Sequence, residues 1–242
     1  MPFSHRLTKP LTLFCWLIAA PILLSGCSQK FNDVNDTMQL ALFGNADATL
    51  SAERISHLPY ASIYATVDNG PQAFMVLALA EPTATFGNNQ TKPNNITPPT
   101  LKWLSSDNGM LITQAGRLIK TLNLPLGNLL SVSSAQVDPL INGLHLPNTA
   151  RTWTRTIDWQ PGYHAGYRVT SHFEQHPNQI IMINQQPKET LYFTELVAVE
   201  ALDVTFVNAF WLDPTTGNVI KSHQKLAPSL PYVDITVLKP YL

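Results

Sequence analysis

The segment from Arg151 to Arg168 combines aromatic rings with charged and polar side chains. Aromatic faces accept the polarised C–H groups of sugar rings, while Arg and Asp side chains hydrogen-bond to hydroxyl groups. This mixture predicts a contact with a glycan or a partner protein, and the candidate contact residues are Arg155, Trp159, Tyr163 and Tyr167. The alternative interpretation places the alternate residues from Trp153 to Trp159 in a core, with Arg155 paired with them or stacked on their rings.

Pairs of carboxylates are the next candidates for chemistry. A glycosidase needs two of them roughly 5–10 Å apart across a cleft. The candidate pairs are Asp158 with Glu174 and Glu195 with Glu200, but Glu195 and Glu200 differ in parity and would face opposite sides of a regular strand. The chain contains no GxSxG, P-loop or GxGxxG motif, and its histidines match no metal-ligand motif. We therefore expect no enzymatic activity, no catalytic residue and no metal site.

Cys27 is the other side chain with evident chemistry, because it follows a secretion signal. Arg6 and Lys9 precede an uncharged apolar run, Leu11–Leu24, which is short for a hydrocarbon core of about 30 Å. The next residues, Leu24-Ser25-Gly26-Cys27, resemble the lipobox of bacterial lipoproteins, in which the cysteine thiolate takes a diacylglyceryl group. We expect residues 1–26 to be a cleaved signal peptide and Cys27 to carry covalent lipid, with no other cofactor.

The residues after Cys27 bear on location. Ser28, rather than an aspartate, follows the cysteine, and under the lipoprotein sorting rule this predicts the periplasmic face of the outer membrane. Two or more acyl chains give stable anchoring. Residues 27–36 are therefore expected to be a lipidated tether. The net charge of −1, with 13% charged residues, argues against a nucleic acid partner.

Short β-type segments separated by turn signals occupy most of the remaining chain. The clearest hairpin signal is Asp107-Asn108-Gly109 between two apolar runs. A helix is predicted over 33–43, and a capped helical turn is predicted to begin at Ser51. The segment 123–150 is predicted to be loop, with a short helical turn near 128–130 or 139–142. Separate strands are predicted over 167–173 and 179–184 with a turn at Pro177, and the Pro161-Gly162 pair predicts another turn. The Asn- and Pro-rich segment 83–100 is predicted to be a mobile loop. About ten strands predict one β-rich domain over 37–242, a large antiparallel sheet curled into a barrel or half-barrel with a few short helices.

Seven short strings follow one another along the chain: LPYASIY (58–64), LKW (101–103), GRLIKT (116–121), IDWQPGY (157–163), NAFWLDP (208–214), KSHQ (221–224) and LKP (238–240). Their order resembles the YjbF/GfcB group of outer-membrane lipoproteins, which are linked to exopolysaccharide and group 4 capsule production. The resemblance spans essentially the whole chain after Cys27. It implies a mostly β fold similar to the half-barrel of lipoprotein carriers, and no established enzyme activity.

Three functions follow from these observations. The first is a periplasm-facing outer-membrane lipoprotein that assists exopolysaccharide or capsule assembly or export by binding glycan or another protein of the export system. The second is a half-barrel carrier of lipid or lipoprotein, which requires an unfilled apolar cavity. The third is a polysaccharide-modifying enzyme, which requires two acidic side chains in one cleft.

Overall fold

The computed structural model describes residues 47–82 and 97–241. The predicted signal peptide, tether and 33–43 helix lie outside the described residues, as do Cys27, the predicted lipidation site, and residues 83–96 of the predicted loop. The described elements, named here in chain order, are α1 (Ala52–His57), β1 (Ser62–Val67), β2 (Ala73–Glu81), β3 (Thr100–Leu104), β4 (Met110–Gln114), β5 (Arg117–Leu122), β6 (Asn128–Ser133), β7 (Thr152–Gln160), β8 (His164–Ile183), β9 (Gln186–Val199), the 3₁₀ helix η1 (Glu200–Leu202), β10 (Val204–Leu212), β11 (Val219–Lys225) and β12 (Tyr232–Lys239).

The twelve strands form one antiparallel sheet in the order β5-β4-β3-β2-β1-β12-β11-β10-β9-β8-β7-β6. Neighbours in the sheet are therefore neighbours in the chain, except that β12 pairs with β1. The two edge strands, β5 and β6, are joined by side chains instead of a backbone ladder. Thr121 Oγ1 donates to Asn128 Oδ1 at 3.2 Å and accepts from the Leu129 amide at 3.0 Å. The sheet is nearly closed into a barrel, which confirms the predicted fold class.

Burial alternates along the strands, so that every second side chain points inward and fills the barrel. Along β7, Trp153, Arg155, Ile157 and Trp159 are buried, while the residues between them face outward. One apolar cluster, around Trp103, Trp159 and Val233, occupies the larger part of the interior. A second cluster includes Trp153, Phe193 and Phe210, and it receives Leu140 and Leu144 from the segment between β6 and β7. That long segment therefore closes part of one end of the barrel.

Two expectations about strands need correction. Residues 128–133 were expected to be loop, with a helical turn near 128–130, but they form β6, whose polar first residue bonds to the opposite edge. The segments 167–173 and 179–184 were expected to be separate strands with a turn at Pro177. They belong to the single 20-residue strand β8, which has a register shift between His176 and Gln179. A bulge accommodates the proline without ending the strand.

The predicted capped turn near Ser51 is confirmed. Ser51 Oγ accepts from the Arg54 amide at 3.2 Å and caps α1, and Ile55 is the buried residue of the helix. Lys239 on β12 donates to the carbonyl of Ser56 at 3.2 Å and to that of Leu58, which holds α1 beside the sheet. Within the described ranges, no helix is long and apolar enough to cross a membrane.

Candidate functional site

The turn between β7 and β8 lies over a stack of rings at one end of the barrel, called here the Tyr163 end. Trp159 is 1% exposed, and its ring stacks on His164 with centroids 4.4 Å apart and planes 5° apart. Tyr167 packs against Trp159 at 4.7 Å. The indole N–H of Trp159 donates to Ser229 Oγ at 3.1 Å, in the connection between β11 and β12. Trp159 is therefore a satisfied core residue that supports the turn from below.

Polar contacts connect the two sides of this turn at its base. Asp158 accepts from Ser131 Oγ at 2.7 Å and from the Gly166 amide at 2.6 Å. These two hydrogen bonds, of which the one from Ser131 has the larger effect, lower the pKa of Asp158 below its usual value. Gly127 approaches the other side of the turn so closely that a Cβ there would lie 2.4 Å from the Gln160 carbonyl oxygen, and its φ is +120°. The turn is thus fastened to β6 and to the β5–β6 connection.

Tyr163 stands at the tip of this turn with its whole side chain in solvent. Leu126, which is 57% exposed, lies across a shallow depression formed by residues 124–127 and 160–163. Tyr167 is half-buried at the same end. Of the four predicted contact residues, Tyr163 and Tyr167 therefore keep accessible surface. The prediction of direct contact needs correction for Trp159 and Arg155, because both are buried in the barrel.

Arg155 belongs to a buried ionic cluster inside the barrel. Its Nη1 donates to Glu195 Oε1 at 3.2 Å and bonds to Ser171 Oγ at 2.5 Å. Arg117 Nη1 donates to Glu195 Oε2 at 2.9 Å, and its Nε donates to Asp138. We call the two arginines and the two acids, Arg117, Arg155, Asp138 and Glu195, the buried ionic cluster; their formal charges balance. The interpretation of Arg155 as paired and stacked in the core is the one that fits this geometry.

Electrostatics keeps Glu195 and the two arginines of the cluster ionised. Burial opposes the charge of Glu195, but Arg117 and Arg155 outweigh it and lower its pKa from 4.5 to about 2. Burial likewise opposes the charge of Arg117, but Asp138 and Glu195 outweigh it and raise the pKa of Arg117 above its usual value. For Arg155 burial dominates and lowers its pKa to about 10, which is still far above neutrality. All three groups are therefore charged at physiological pH.

Aromatic rings seal the cluster from water. The guanidinium carbons of Arg117 and Arg155 lie 4.8 and 4.6 Å from the centroid of the Trp153 ring. Phe210 covers Arg117 at 5.3 Å. All four side chains of the cluster are buried, so the cluster acts as a polar layer of the core. Sequence reasoning missed Arg117 and Asp138. The available signal concerned Arg117 alone: in a chain with few charged residues, a charge at the start of a strand pattern is informative.

The candidate catalytic pairs are not brought together. Glu195 is fully buried inside the barrel, whereas Glu200 is exposed on η1. Asp158 faces Ser131 and Gly166, and Glu174 lies on the exposed part of β8. Within residues 47–82 and 97–241, no group of three or more His, Cys, Asp or Glu side chains is placed to hold a metal ion. Neither candidate pair of acids is therefore placed as glycosidase chemistry requires.

A cavity of about 260 Å³ opens at the opposite end, called here the Tyr241 end. Its walls are mostly apolar and come from Ile63, Leu101, Trp103, Val219, Ile235 and Val237. Pro98, Pro240 and Tyr241 also line it. This space has room for a small apolar group.

Comparison with known proteins gives a consistent result along the chain. The sequence model of the family described as "Group 4 capsule polysaccharide lipoprotein gfcB, YjbF" matches residues 35–238. The uncharacterized lipoprotein GfcB of Escherichia coli K12 is 32% identical over 220 residues, which cover 90% of this chain and 94% of that protein. The uncharacterized lipoprotein YjbF of the same organism is 30% identical over 224 residues, covering 92% and 96%.

A solved structure shares the fold. The crystal structure of the hypothetical lipoprotein YmcC from E. coli K12 matches with a TM-score of 0.66 and 31% identity, covering 86% of this chain and 96% of that one. The sequence resemblance, the family match and this structural match all extend over most of the described strands. The chain therefore belongs to the YjbF family of group 4 capsule polysaccharide lipoproteins.

Proposed function

We propose that this protein is a lipid-anchored accessory of capsular or exopolysaccharide assembly or export at the periplasmic face of the outer membrane, and that it acts by binding and not by catalysis. Membership of a capsule lipoprotein family supports the pathway. The packing of Arg117, Arg155 and Glu195 into the barrel supports a binding role, because the charged groups best suited to catalysis lie out of reach of solvent.

The anchor in this proposal is the diacylglyceryl group on Cys27. About 20 residues separate Cys27 from Asp47, where the described chain begins. An extended chain of that length spans at most about 70 Å, at roughly 3.5 Å per residue. The barrel is thus tethered near the membrane, and its binding surface has room to reach components of an export system that lie beside it.

The exposed ring of Tyr163 is the observation that carries the binding proposal. A free aromatic side chain on a flexible loop loses conformational entropy when it binds, whereas the turn of Tyr163 is already fastened at Asp158 and Gly127. The ring face offers a flat apolar surface on which a sugar ring stacks, and Leu126 lines the same shallow depression. We therefore assign glycan contact to the Tyr163 end, with Tyr167 at its border.

Titration with purified exopolysaccharide from a producing strain tests this assignment, with tryptophan fluorescence as the readout. Trp159 reports on the site, because it packs beneath the turn. Tyr163→Ala is expected to weaken binding roughly three- to tenfold, the usual value of one aromatic contact. Tyr241→Ala, which removes a 49% exposed tyrosine at the opposite end, is the control and should bind like the wild type. Equal affinities for Tyr163→Ala and the wild type would refute the assignment.

A second candidate function, lipid binding, is favoured by the cavity at the Tyr241 end. Its volume of about 260 Å³ lies below the roughly 300–1,000 Å³ of sites for larger ligands, so it suits one short apolar group rather than a whole multi-chain lipid. Val237→Phe fills the cavity and should abolish uptake of a fluorescent fatty acid, whereas Val207→Phe, at an exposed position, should not. Failure of the wild type to bind the probe would exclude this candidate.

A further inference from the structure

The connections between strands at the Tyr163 end carry acids but no Lys or Arg. Because neighbouring strands are antiparallel, alternate connections meet at this end; they are residues 68–72, 105–109, 123–127, 161–163, 200–203 and 226–231. Their charged side chains are Asp68, Asp107, Glu200 and Asp203, and all four residues are exposed. Asp47, which is also exposed, lies beside them, because its carboxylate accepts from the Gln72 amide at 2.8 Å. Five negative charges therefore lie at this end of the barrel.

These five acids are not neutralised by basic partners in the described part of the chain. The ion pairs there involve other acids, namely Glu81, Asp138, Glu195 and Asp234. β11 is the one described strand that has a basic residue, Lys225, as its terminal residue at this end, and Lys225 Nζ lies 4.7 Å from the centre of the Tyr232 ring. An exposed charge acts through water over about 8–10 Å at moderate salt, so an approaching ligand meets a negative field.

The depression beside Tyr163 has no charged side chain in its own lining. Residues 124–127 and 160–163, which form it, are Leu, Pro, Gly, Gln and Tyr. Going round the barrel from this depression, the next connection at the same end is 200–203 on one side and 105–109 on the other. Both of these connections are acidic. An anionic ligand in the depression would therefore have negative charge on either side of it and no cation in the lining to pair with.

We propose that the Tyr163 end selects uncharged sugar units and rejects uronic acids and other anionic sugars. This inference rests on the glycan contact assigned above and adds the chemical class of the sugar. Stacking on the Tyr163 ring requires only an apolar sugar face, and the exposed Gln160 offers an amide to sugar hydroxyl groups. A carboxylate on the same sugar loses part of its hydration in the depression without gaining an opposite charge, so it weakens binding.

Two forms of one polysaccharide test this selection on the full-length protein. Purified exopolysaccharide is carboxyl-reduced to give a neutral polymer, and part of that polymer is then oxidised at its primary hydroxyl groups to carboxylates. The two polymers share their linkages and differ in charge. Tryptophan fluorescence gives both affinities at about 0.01 M and about 0.15 M salt, where the screening length is about 30 Å and about 8 Å.

We expect the neutral polymer to bind several-fold tighter than the oxidised one at the lower salt, and the ratio to shrink at the higher salt. The double variant Glu200→Gln/Asp203→Asn should narrow the ratio at low salt, because it removes the two charges on one side of the depression. Glu189→Gln is the matched control. It removes an exposed charge near the opposite end of the barrel and should keep the wild-type ratio.

Equal affinities for the two polymers at the lower salt, or tighter binding of the oxidised polymer, would overturn the selection. A ratio that stays the same in the double variant would overturn it as well. If Tyr163→Ala still weakens the binding of both polymers in those cases, the glycan contact stands and only the selection fails. Binding that does not respond to Tyr163→Ala would instead refute the contact itself, and this inference with it.

Discussion

Replacement of Glu195 by glutamine tests whether the barrel interior is held by a dry ionic layer. Glu195 accepts hydrogen bonds from Arg117 at 2.9 Å, from Arg155 at 3.2 Å and from Asn208 at 2.8 Å, and it is fully buried. Glutamine keeps the shape of the side chain but removes its charge. Its NH₂ group is a donor, and it faces N–H donors from which the carboxylate oxygen accepted. Arg155 then has no direct carboxylate partner among the described residues.

The magnitude follows from this burial. Breaking a buried ion pair by removing one partner costs about 3–5 kcal/mol, because the other charge stays buried without compensation. We expect Glu195→Gln to lower the free energy of unfolding by about 4 kcal/mol, a large part of the roughly 5–15 kcal/mol that stabilises a typical domain. With a urea m-value of about 2 kcal/mol/M, the unfolding midpoint falls by about 2 M.

Urea unfolding, followed by tryptophan fluorescence and circular dichroism, measures the effect. Glu189→Gln is the control, because Glu189 is exposed and its described bond is a 3.4 Å contact from Asn178, so its change should stay within about 0.5 kcal/mol. Adding Arg155→Met to Glu195→Gln should recover part of the loss, since it removes the orphaned charge. A loss below about 1 kcal/mol for Glu195→Gln, with an unchanged m-value, would refute the description of the cluster as dry and paired.

Three further predictions concern stability. Folding lowers the pKa of Glu195 from 4.5 to about 2, so its contribution to the free energy of unfolding is complete above pH 4.5 and is lost as the pH falls toward 2. Measured across this pH range, the free energy of unfolding of the wild type should fall by roughly 3 kcal/mol from this group, and Glu195→Gln should lack this part of the fall. Thr121→Val removes the side-chain hydrogen bonds that join β5 to β6, and it should lower the free energy of unfolding in urea by about 1–3 kcal/mol and speed hydrogen exchange at the Leu129 amide. Unchanged exchange would count against side chains as the link between these two strands. Gly217→Ala places a Cβ 1.9 Å from the His145 ring at a φ of +73°, so thermal unfolding should show a clear drop in Tm, and a Tm equal to that of the wild type would contradict the close packing of this loop.

Local sequence patterns predicted much of the fold. The Asp107-Asn108-Gly109 turn, the alternation along β7 and the Ser51 cap each depend on residues a few positions apart, and each is present in the structure. β6 escaped prediction because its pairing with β7 spans a long intervening segment, and the proline in β8 suggested a chain break where the sheet accommodates a bulge.

The candidate site was predictable only in part. The alternation of β7 left open whether Trp159 and Arg155 face solvent or core, and the closure of the sheet decides it. Arg117 and Glu195 are 78 residues apart, so their pairing depends on β5 and β9 meeting across the interior of one barrel. No local spacing encodes that contact. The exposure of Tyr163, by contrast, follows from its position in a short turn, which the Pro161-Gly162 pair indicated.

The amount of polysaccharide at the cell surface and in the medium, measured after deletion of this gene in its own host, tests the account most directly. We predict that deletion lowers the yield, that the wild-type gene restores it, and that Cys27→Ala at a matched periplasmic level restores it only partly. Unchanged polysaccharide after deletion would contradict the assignment to capsule or exopolysaccharide export.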